Sequence, residues 1–511
     1  MRPGAAVRLA LAGTRTDTLR VALTGVSAAL ASVAVLSAAT VLSIRGGDAP
    51  WYQSDLLQQP GLRPGVAIAL LLLCVPVLAL AAQCTRLGAP ARDRRLAAIR
   101  LAGATPAQTL AVVTVEAGLA TLIGTLAGLG LFFGGRVVLD RRNAAGELWL
   151  PTDVLPPVWV VTAVGLALPA IAMLLGALLL RRVRVTPFGV ARQSDRLRTP
   201  RTWPALLLVI GVGVAAASGP LASTLDRGVV GRIPAQVILP VLFAVSVGLA
   251  VGVIAGTSSI SYVVGIVLRR WGRTPAMLLA GSRLMTDPWS GSRVLAALLA
   301  AVLVGGVSIG VRAQFAAQYA ADVEADRLWM AAVGETMMAD PAANDFYMNA
   351  MDLVNLAIAM AVGIAAVALL VAAGESLVSR RRAYASLVAS GVPRGVIGRS
   401  VVWQLFAPAV PSVLISAVVG WLMTRSTGNT VTSGGTNGTI CLTEGPVCSD
   451  PVLGAPYLRE VDLDLIVHAV PVPVEGLLLL TGGALLAVLA TVAVSMFFLR
   501  ASTAADELRA A

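Results

Sequence analysis

The 511-residue chain contains no lysine, a single histidine and few charged residues of any kind. All 39 of its basic side chains are arginines, and charged residues make up 13% of the chain. A Walker A phosphate loop needs its lysine on the nucleotide phosphates, so this chain has none. We find no nucleophile–base pair, and one histidine leaves little for acid–base chemistry. We therefore expect that the chain is not itself an enzyme.

Apolar residues are abundant instead, at 57% of the chain, and several apolar runs reach the roughly 20 residues that cross a bilayer. The runs do not alternate apolar and polar residues, which excludes a membrane β-barrel. The sequence predicts an all-α polytopic membrane protein with short extracellular loops and about ten transmembrane helices. The predicted spans are Leu19–Ile44, Gly65–Ala82, Gln108–Phe133, Val158–Leu180, Pro204–Leu225, Ala235–Leu268, Val294–Val311, Met351–Val378, Val396–Met423 and Val472–Leu499.

The distribution of arginine predicts the orientation. With the N-terminus in the cytoplasm, most arginines fall in the inner segments, as the positive-inside rule requires. We therefore expect a multi-pass protein of the cell membrane with both termini cytoplasmic. The net charge of +12 follows from the same arginines at helix ends, so nucleic acid is not an expected partner. The acidic segment Arg312–Ala350 is predicted to be a solvated outer loop.

Two of the four cysteines lie close together in another predicted outer loop, the Gly/Ser/Thr-rich segment Arg425–His468. An oxidising outer compartment favours a local disulfide between Cys441 and Cys448. The only histidine, His468, lies far from them along the loop, so no metal site is predicted.

A basic segment followed by a glycine and a membrane span occurs twice in the sequence. The stretch "RDRRLAAIRLAGATPAQTLAVVTVEAG" begins at Arg92, and "SRRRAYASLVASGVPRGVIGRSVVWQL" begins at Ser379. Spans one to four resemble spans seven to ten in layout, with spans five and six as a linker pair. The predicted units are therefore residues 1–200 and 276–511, joined by residues 201–275. A parallel duplication of this kind implies a pseudo-two-fold axis along the membrane normal.

Each basic segment reads as a short helix, a sharp turn and then a membrane helix. Leu96 and Ile99 are three residues apart, which places them on one helix face, and the second copy has Tyr384 and Leu387. The glycine that follows each pair is a candidate helix C-cap, and a nearby proline prevents simple continuation. Such an element can dock on a partner, or it can only anchor the chain at the membrane surface.

Two further features lie inside the spans that follow the turns. Glu116 aligns with Gln404, and hydrogen bonding between helices suits both residue types better than proton coupling does. The motif Gly124-x-x-x-Gly128 aligns with Ser412-x-x-x-Ser416, and small residues at this spacing are typical of closely packed membrane helices.

At these residues the chain resembles the FtsX-like permease family of ABC transporters. The family pattern is a basic stretch and a Leu-x-x-x-Gly-Ala element before the third helix, with a glutamate inside that helix. The matching residues are Arg92, Arg94, Arg95, Leu96, Ile99, Gly103, Ala104 and Glu116, and in the weaker second copy Arg380, Arg381, Arg382, Leu387, Gly391 and Gln404. The segment Arg181–Gln193 resembles the family's cytoplasmic tail. The ten-span, two-unit arrangement is similar to permeases of the bacitracin-exporter type.

The resemblance implies that the two basic segments are coupling helices, which seat on two copies of a separate ATPase. ATP and Mg would be bound by that partner, with no cofactor on this chain. The implied coupling residues are Arg94, Arg95, Leu96, Ile99 and Gly103 in the first copy, and Arg381, Arg382, Tyr384, Leu387 and Gly391 in the second. The large outer domain of bacitracin-type permeases is missing, and so is the family's acidic residue in the coupling segment.

Three functions fit these features. The leading one is a permease subunit that exports or extracts an amphipathic or lipid-like substrate. The second is a mechanotransmitter that regulates an extracellular partner without transport. The third, an ion-coupled transporter, would need charges near the bilayer midplane in several helices, and only Glu116 is convincing.

Overall fold

A computed structural model describes most of the membrane region. The described residues are 15–46, 49–60, 62–74, 76–77, 80–81, 98, 101, 103–144, 146–181, 235–333, 341–379, 386–425, 429–435, 437–441, 458–462 and 464–502. The helices are α1 (Arg15–Leu42), α2 (Asp55–Gln58), α3 (Arg63–Leu72), α4 (Pro106–Leu139), α5 (Val158–Arg181), α6 (Ala235–Trp271), α7 (Pro275–Thr286), α8 (Pro288–Val333), α9 (Pro341–Ser379), α10 (Arg394–Arg425) and α11 (Val474–Ser502). The strands are β1 (Thr430–Gly434), β2 (Asn437–Cys441), β3 (Leu458–Asp462) and β4 (Leu465–Ala469).

Within these ranges, six helices are long and apolar enough to cross a membrane, namely α1, α4, α8, α9, α10 and α11. A shorter apolar segment, Val158–Leu174, lies in α5. The structure is thus mostly helical with six candidate membrane spans, which is consistent with the predicted all-α polytopic membrane protein. The predicted fifth span, Pro204–Leu225, lies outside the described residues, so the count of ten stays a prediction.

Parallel helices approach each other closely at small residues in both predicted units. In the first unit, Gly124 of α4 lies against Gly25 of α1, and Gly128 lies against Ala29. In the second unit, the Ser416 hydroxyl on α10 donates to the Leu299 carbonyl on α8 at 2.8 Å, and Gly420 lies against Leu303. Gly124 and Gly128 from the first copy of the predicted small-residue motif, and Ser416 from the second copy, thus lie at helix crossings. This is expected for membrane helices that associate through close packing.

The second unit has one continuous apolar core to which four helices contribute. It contains Leu298 and Leu299 from α8, Leu369 from α9, Val413 from α10 and Val488 from α11, all essentially inaccessible to solvent. A smaller cluster joins the two units.

That cluster contains Leu23 at the start of α1, the buried Leu80, and Ala368 and Val371 near the end of α9. The start of α1 and the end of α9 therefore lie at the same end of the bundle. The glycine turns that precede α4 and α10 lie there too, and we call it the near end. The opposite end is the far end.

At the far end of the first unit, the connection between α1 and α3 and the connection between α4 and α5 form a compact cap. An arginine, Arg63, is buried in it. Arg63 is 4% exposed, and its guanidinium donates to the carbonyls of Leu57, Gln58, Ile44 and Gly46 at 2.8 to 3.4 Å. The planar guanidinium offers five donors in fixed directions, which suits several carbonyls at once.

The buried Tyr52 joins the two loops of this cap. Its hydroxyl donates to Asp153 at 2.7 Å, and its backbone forms a bridge with Leu148. Burial and the nearby Asp153 raise the pKa of the Tyr52 hydroxyl, so it stays protonated and keeps this hydrogen bond.

The segment predicted as a solvated loop, Arg312–Ala350, is largely helical, which corrects the expectation of short outer loops. Helix α8 has 46 residues and is roughly 69 Å long at 1.5 Å per residue, about twice the bilayer hydrocarbon thickness. Helix α9 returns beside it. The Phe315 and Tyr347 rings stack at 4.6 Å, Ser308 bonds Asn355, and Arg312 forms an ion pair with Asp352. Sequence reasoning missed these helices because their polar residues resemble a loop.

The second predicted outer loop, Arg425–His468, contains antiparallel strands, which corrects a strictly all-α fold. Strand β1 pairs with β4, and β2 pairs with β3. Strands β1 and β4 lie against the far part of α8, where His468 contacts Glu324 at 2.6 Å and Gln318 donates to the Thr432 carbonyl at 3.3 Å. Both contacts attach the strands to the projecting helix.

We predict that Gly128→Ala destabilises the first unit by about 1–3 kcal/mol. Its new Cβ would lie 2.7 Å from the Ala29 carbonyl oxygen and 2.8 Å from Ser32 Cβ, so α1 and α4 must separate. Gly130→Ala is the matched control, because its Cβ meets nothing within 4 Å. Thermal unfolding of the purified protein in detergent measures both, and equal melting temperatures would contradict the crossing.

We also predict that Arg63→Gln lowers stability by at least about 2 kcal/mol, because several buried carbonyls lose a charged donor. The exposed Arg45 provides the control variant, Arg45→Gln. Limited proteolysis between α1 and α3 should increase in the first variant and not in the second. Equal cleavage of the two variants would show that Arg63 does not hold the cap.

Candidate functional site

Two glycine turns with nearly the same backbone conformation lie at the near end. Gly103 has φ 90° and Gly391 has φ 91°, in the left-handed region that side-chain-bearing residues rarely adopt. Each turn leads within three residues into a long membrane helix, α4 or α10. The sequence prediction of helix C-caps at these two glycines agrees with this geometry.

The turn at Gly391 closes with a pair of hydrogen bonds typical of a Schellman motif. The Val392 N–H donates to the Leu387 carbonyl, and the Gly391 N–H donates to the Val388 carbonyl, both at 3.0 Å. Leu387, Val388 and Val392 then pack against the buried Ile397 and Val401 of α10. The residues before the turn are therefore attached to the helix that follows it.

The turn at Gly103 leads into a capped helix start. The Gln108 N–H donates to the Thr105 hydroxyl at 3.3 Å, and the Thr105 N–H donates to the Gln108 side chain at 3.0 Å. This reciprocal capping box satisfies two N–H groups that an uncapped helix would leave free. The first turn of α4 is thus well defined immediately after the glycine.

An exposed leucine beside the first turn was missed by the sequence analysis. Leu101, two residues before Gly103, is 90% exposed. In the predicted repeat it aligns with Ala389, which is also exposed. The signal in the sequence is an apolar residue two positions before a capping glycine in a basic segment, whereas the predicted helix face contains Leu96 and Ile99.

The structure places only some of the predicted coupling residues. The predicted residues outside the described ranges are Arg94, Arg95, Leu96, Ile99, Arg381, Arg382 and Tyr384. Gly103, Leu387 and Gly391 are described. Leu387 is partly buried against α10, so much of its side chain serves contacts within this chain.

The intramembrane pair predicted from the repeat also differs between the units. Glu116 is 6% exposed, on a face of α4 that also buries Thr109 and Val113. Gln404 is half-buried on α10, and its amide nitrogen has no hydrogen-bond partner among the described residues. The role of these two residues in holding neighbouring helices therefore stays a prediction.

Only one cysteine of the predicted disulfide lies within the described residues. Cys441 ends β2, whereas Cys448 lies outside the described residues. The pairing therefore stays a prediction.

Residues 65–188 match the model of the FtsX-like permease C-terminal family. The match includes the turn at Gly103, all of α4 and Glu116, and it supports assignment to the FtsX-like permease family. Members of this family are non-enzymatic membrane subunits of ABC transporters, and the family implies a separate ATPase partner. None of the curated proteins and none of the solved structures gives a significant match to this chain.

We predict that Gly391→Ala destabilises the second turn by about 1–2 kcal/mol, because an alanine Cβ is strained at φ 91°. Gly395→Ala, four residues on inside α10, is the control, since its Cβ meets nothing within 4 Å and alanine favours a helix. Hydrogen exchange of the amides near Val392 measures the effect. Faster exchange in both variants, or in neither, would contradict the role of this glycine.

Proposed function

We propose that the chain is the membrane permease subunit of an ABC transporter, which couples ATP hydrolysis on a separate ATPase to export or extraction of an amphipathic or lipid-like substrate. The observation that carries this proposal is the pair of left-handed glycine turns at one end of the bundle. Each turn lies directly before a long membrane helix, at residues that resemble the family's coupling segment. The family match over residues 65–188 supports the first of the two.

The packing provides a route for force from each turn into the bundle. In the second unit, the cluster of Leu387, Val392 and Ile397 joins the turn to α10, and the Ser416–Leu299 hydrogen bond joins α10 to α8. In the first unit, α4 is packed against α1 at Gly124 and Gly128. A push on either turn therefore displaces a pair of helices, since close-packed interfaces transmit displacement rather than absorb it.

Two turns imply two binding sites for the ATPase, and therefore two ATPase copies for each permease chain. ATP and Mg bind only to that partner in this proposal. Leu101 and Ala389, exposed at equivalent positions, contact the ATPase in this proposal. The ATPase supplies apolar and acidic contacts. The near end is then cytoplasmic, and the membrane is the cell membrane.

A second candidate function, mechanotransmission to an extracellular partner, is favoured by the far part of α8 and α9. Both helices are longer than a bilayer is thick, and the far part of α8 carries β1 and β4. A rigid projection of this kind suits a protein that moves a partner at the outer face. Mechanotransmission does not require a path for a substrate through the helix bundle.

The test is co-purification of the ATPase with a tagged, gently solubilised chain, followed by mass spectrometry. We expect that Leu101→Asp combined with Ala389→Asp reduces ATPase recovery at least about tenfold, because each aspartate places a charge in an apolar contact. Both side chains are exposed, so the fold is preserved. Leu155→Asp is the control, since Leu155 is 64% exposed on the far-end loop.

Loss of the ATPase from the double variant alone supports the coupling role. Absence of an ATPase from the wild-type sample, with the permease intact, would overturn the ABC assignment. Reconstitution of the complex in liposomes then distinguishes the two functions, because only a transporter removes an amphipathic substrate from the membrane when ATP is added.

A further inference from the structure

A basic surface with exposed apolar residues lies where α6 ends and α7 begins. Arg269 and Arg270 occupy the last turn of α6, and Arg273 lies in the connection to α7. All three are exposed, and Trp271 between them is 75% exposed. On α7, Leu278 is 44% exposed. These residues follow the predicted sixth span, Ala235–Leu268, and the sequence analysis gave them no function.

The two helices form a rigid hairpin that holds this surface in place. A Cβ added at Gly265 would lie 3.0 Å from the Gly281 carbonyl oxygen, so the backbones of α6 and α7 nearly touch. The Thr274 hydroxyl accepts the Met277 N–H at 3.4 Å and caps α7. The inner face of α7 is buried through Ala276, Ala280, Gly281 and Leu284. The surface is therefore a fixed feature of the fold.

The contacts of α6 place the surface at the near boundary of the membrane. Val253 packs beside Ile415 and Val419 of α10. Helix α7 packs on both α6 and α10 and leads directly into α8, which begins at the near end, so α6 runs antiparallel to α10. Trp271 therefore lies roughly 27 Å nearer the near end than Val253, at 1.5 Å per residue. That level corresponds to the first turns of α10, which carry Arg394 and Arg399. Tryptophan and arginine are characteristic of this boundary.

The surface is also free of nearby acidic residues in the sequence. No aspartate or glutamate occurs between Asp226 and Asp287, and α10 contains none. In the part of the chain that the structure describes, these three arginines form no ion pair. Such arginines attract anions, and phosphate accepts several hydrogen bonds from a guanidinium. Anionic lipid headgroups lie at this depth in a bilayer, beside the acyl region that receives apolar side chains.

We propose that this surface, Arg269, Arg270, Trp271, Arg273 and Leu278, binds the headgroups of anionic phospholipids at the near side of the membrane. The arginines contact lipid phosphates, and Trp271 and Leu278 lie at the boundary between headgroups and acyl chains. Tryptophan together with arginine is characteristic of the membrane boundary, which favours a lipid over the ATPase as occupant. The proposal goes beyond coupling and does not depend on an ATPase. Because α7 packs on α10, bound lipid also holds the base of the helix that follows Gly391.

The experiment uses the full-length permease in nanodiscs that contain mainly phosphatidylcholine and a minor fraction of phosphatidylglycerol. After extraction into mild detergent, native mass spectrometry counts the retained lipids of each class. We expect enrichment of phosphatidylglycerol on the wild-type protein. It should fall about tenfold or more in the triple variant Arg269→Gln, Arg270→Gln and Arg273→Gln. The control is Arg141→Gln with Arg142→Gln, which removes two exposed arginines at the far end.

A second measurement needs no variant. High salt during extraction should reduce phosphatidylglycerol retention by the wild-type protein, because exposed charges are screened. Equal enrichment in the triple variant, or an equal loss in the control, overturns the proposal. The proposal is also overturned if the triple variant keeps its lipid but loses a co-purified ATPase, because the surface is then a contact with that protein. Lipid loss with the ATPase retained supports it.

Discussion

The close approach of helix backbones at small residues is the constraint on which the described bundle depends. Lipid tails are as apolar as leucine, so the hydrophobic effect does not hold two membrane helices together. Contact over many atoms does, and it needs small residues where the helices cross. Gly25 against Gly124 provides this in the first unit, and Leu303 against Gly420 provides it in the second. The Ser416–Leu299 hydrogen bond adds a directional contact at the second crossing.

These crossings explain why the two glycine turns can act on the whole bundle. Each turn lies at the start of a helix that is itself fixed to a neighbour, so movement of the turn is not absorbed by a loose loop. The two units reach this arrangement differently. The residues before Gly391 pack on α10, whereas Leu101 before Gly103 stays exposed. The second turn is therefore held by its own chain, whereas the apolar side chain beside the first turn is exposed.

The sequence predicted the parts of this structure that follow from local chemistry. Apolar length identified the membrane helices, and the glycine and proline spacing identified both turns, because few residues tolerate a positive φ. The sequence predictions were wrong where the pattern of polar and apolar residues is compatible with more than one structure. The far part of α8 is polar and acidic, so it resembled a loop, although its contacts with α9 and the strands make it helical. Strands β1 to β4 were missed because glycine, serine and threonine are typical of loops and do not reveal long-range pairing. The surface at Arg269 lies just after the predicted sixth span, Ala235–Leu268, and nothing in the sequence there shows that α7 folds back against α6.

The length of α8 has a mechanical consequence. The helix has no proline after its first residue, and its glycines at 305, 306 and 310 are packed against Leu480, Trp421 and Thr424. It should therefore tilt as a rod rather than bend, because kinks arise mainly at proline or at unsupported glycine. The part beyond Arg312 is roughly 33 Å long at 1.5 Å per residue, so a tilt of about 10° would swing its tip by on the order of 6 Å. A small adjustment at the helix crossings would thus be amplified far from the membrane, where, among the described elements, β1, β4 and the start of α9 lie beside the tip of α8.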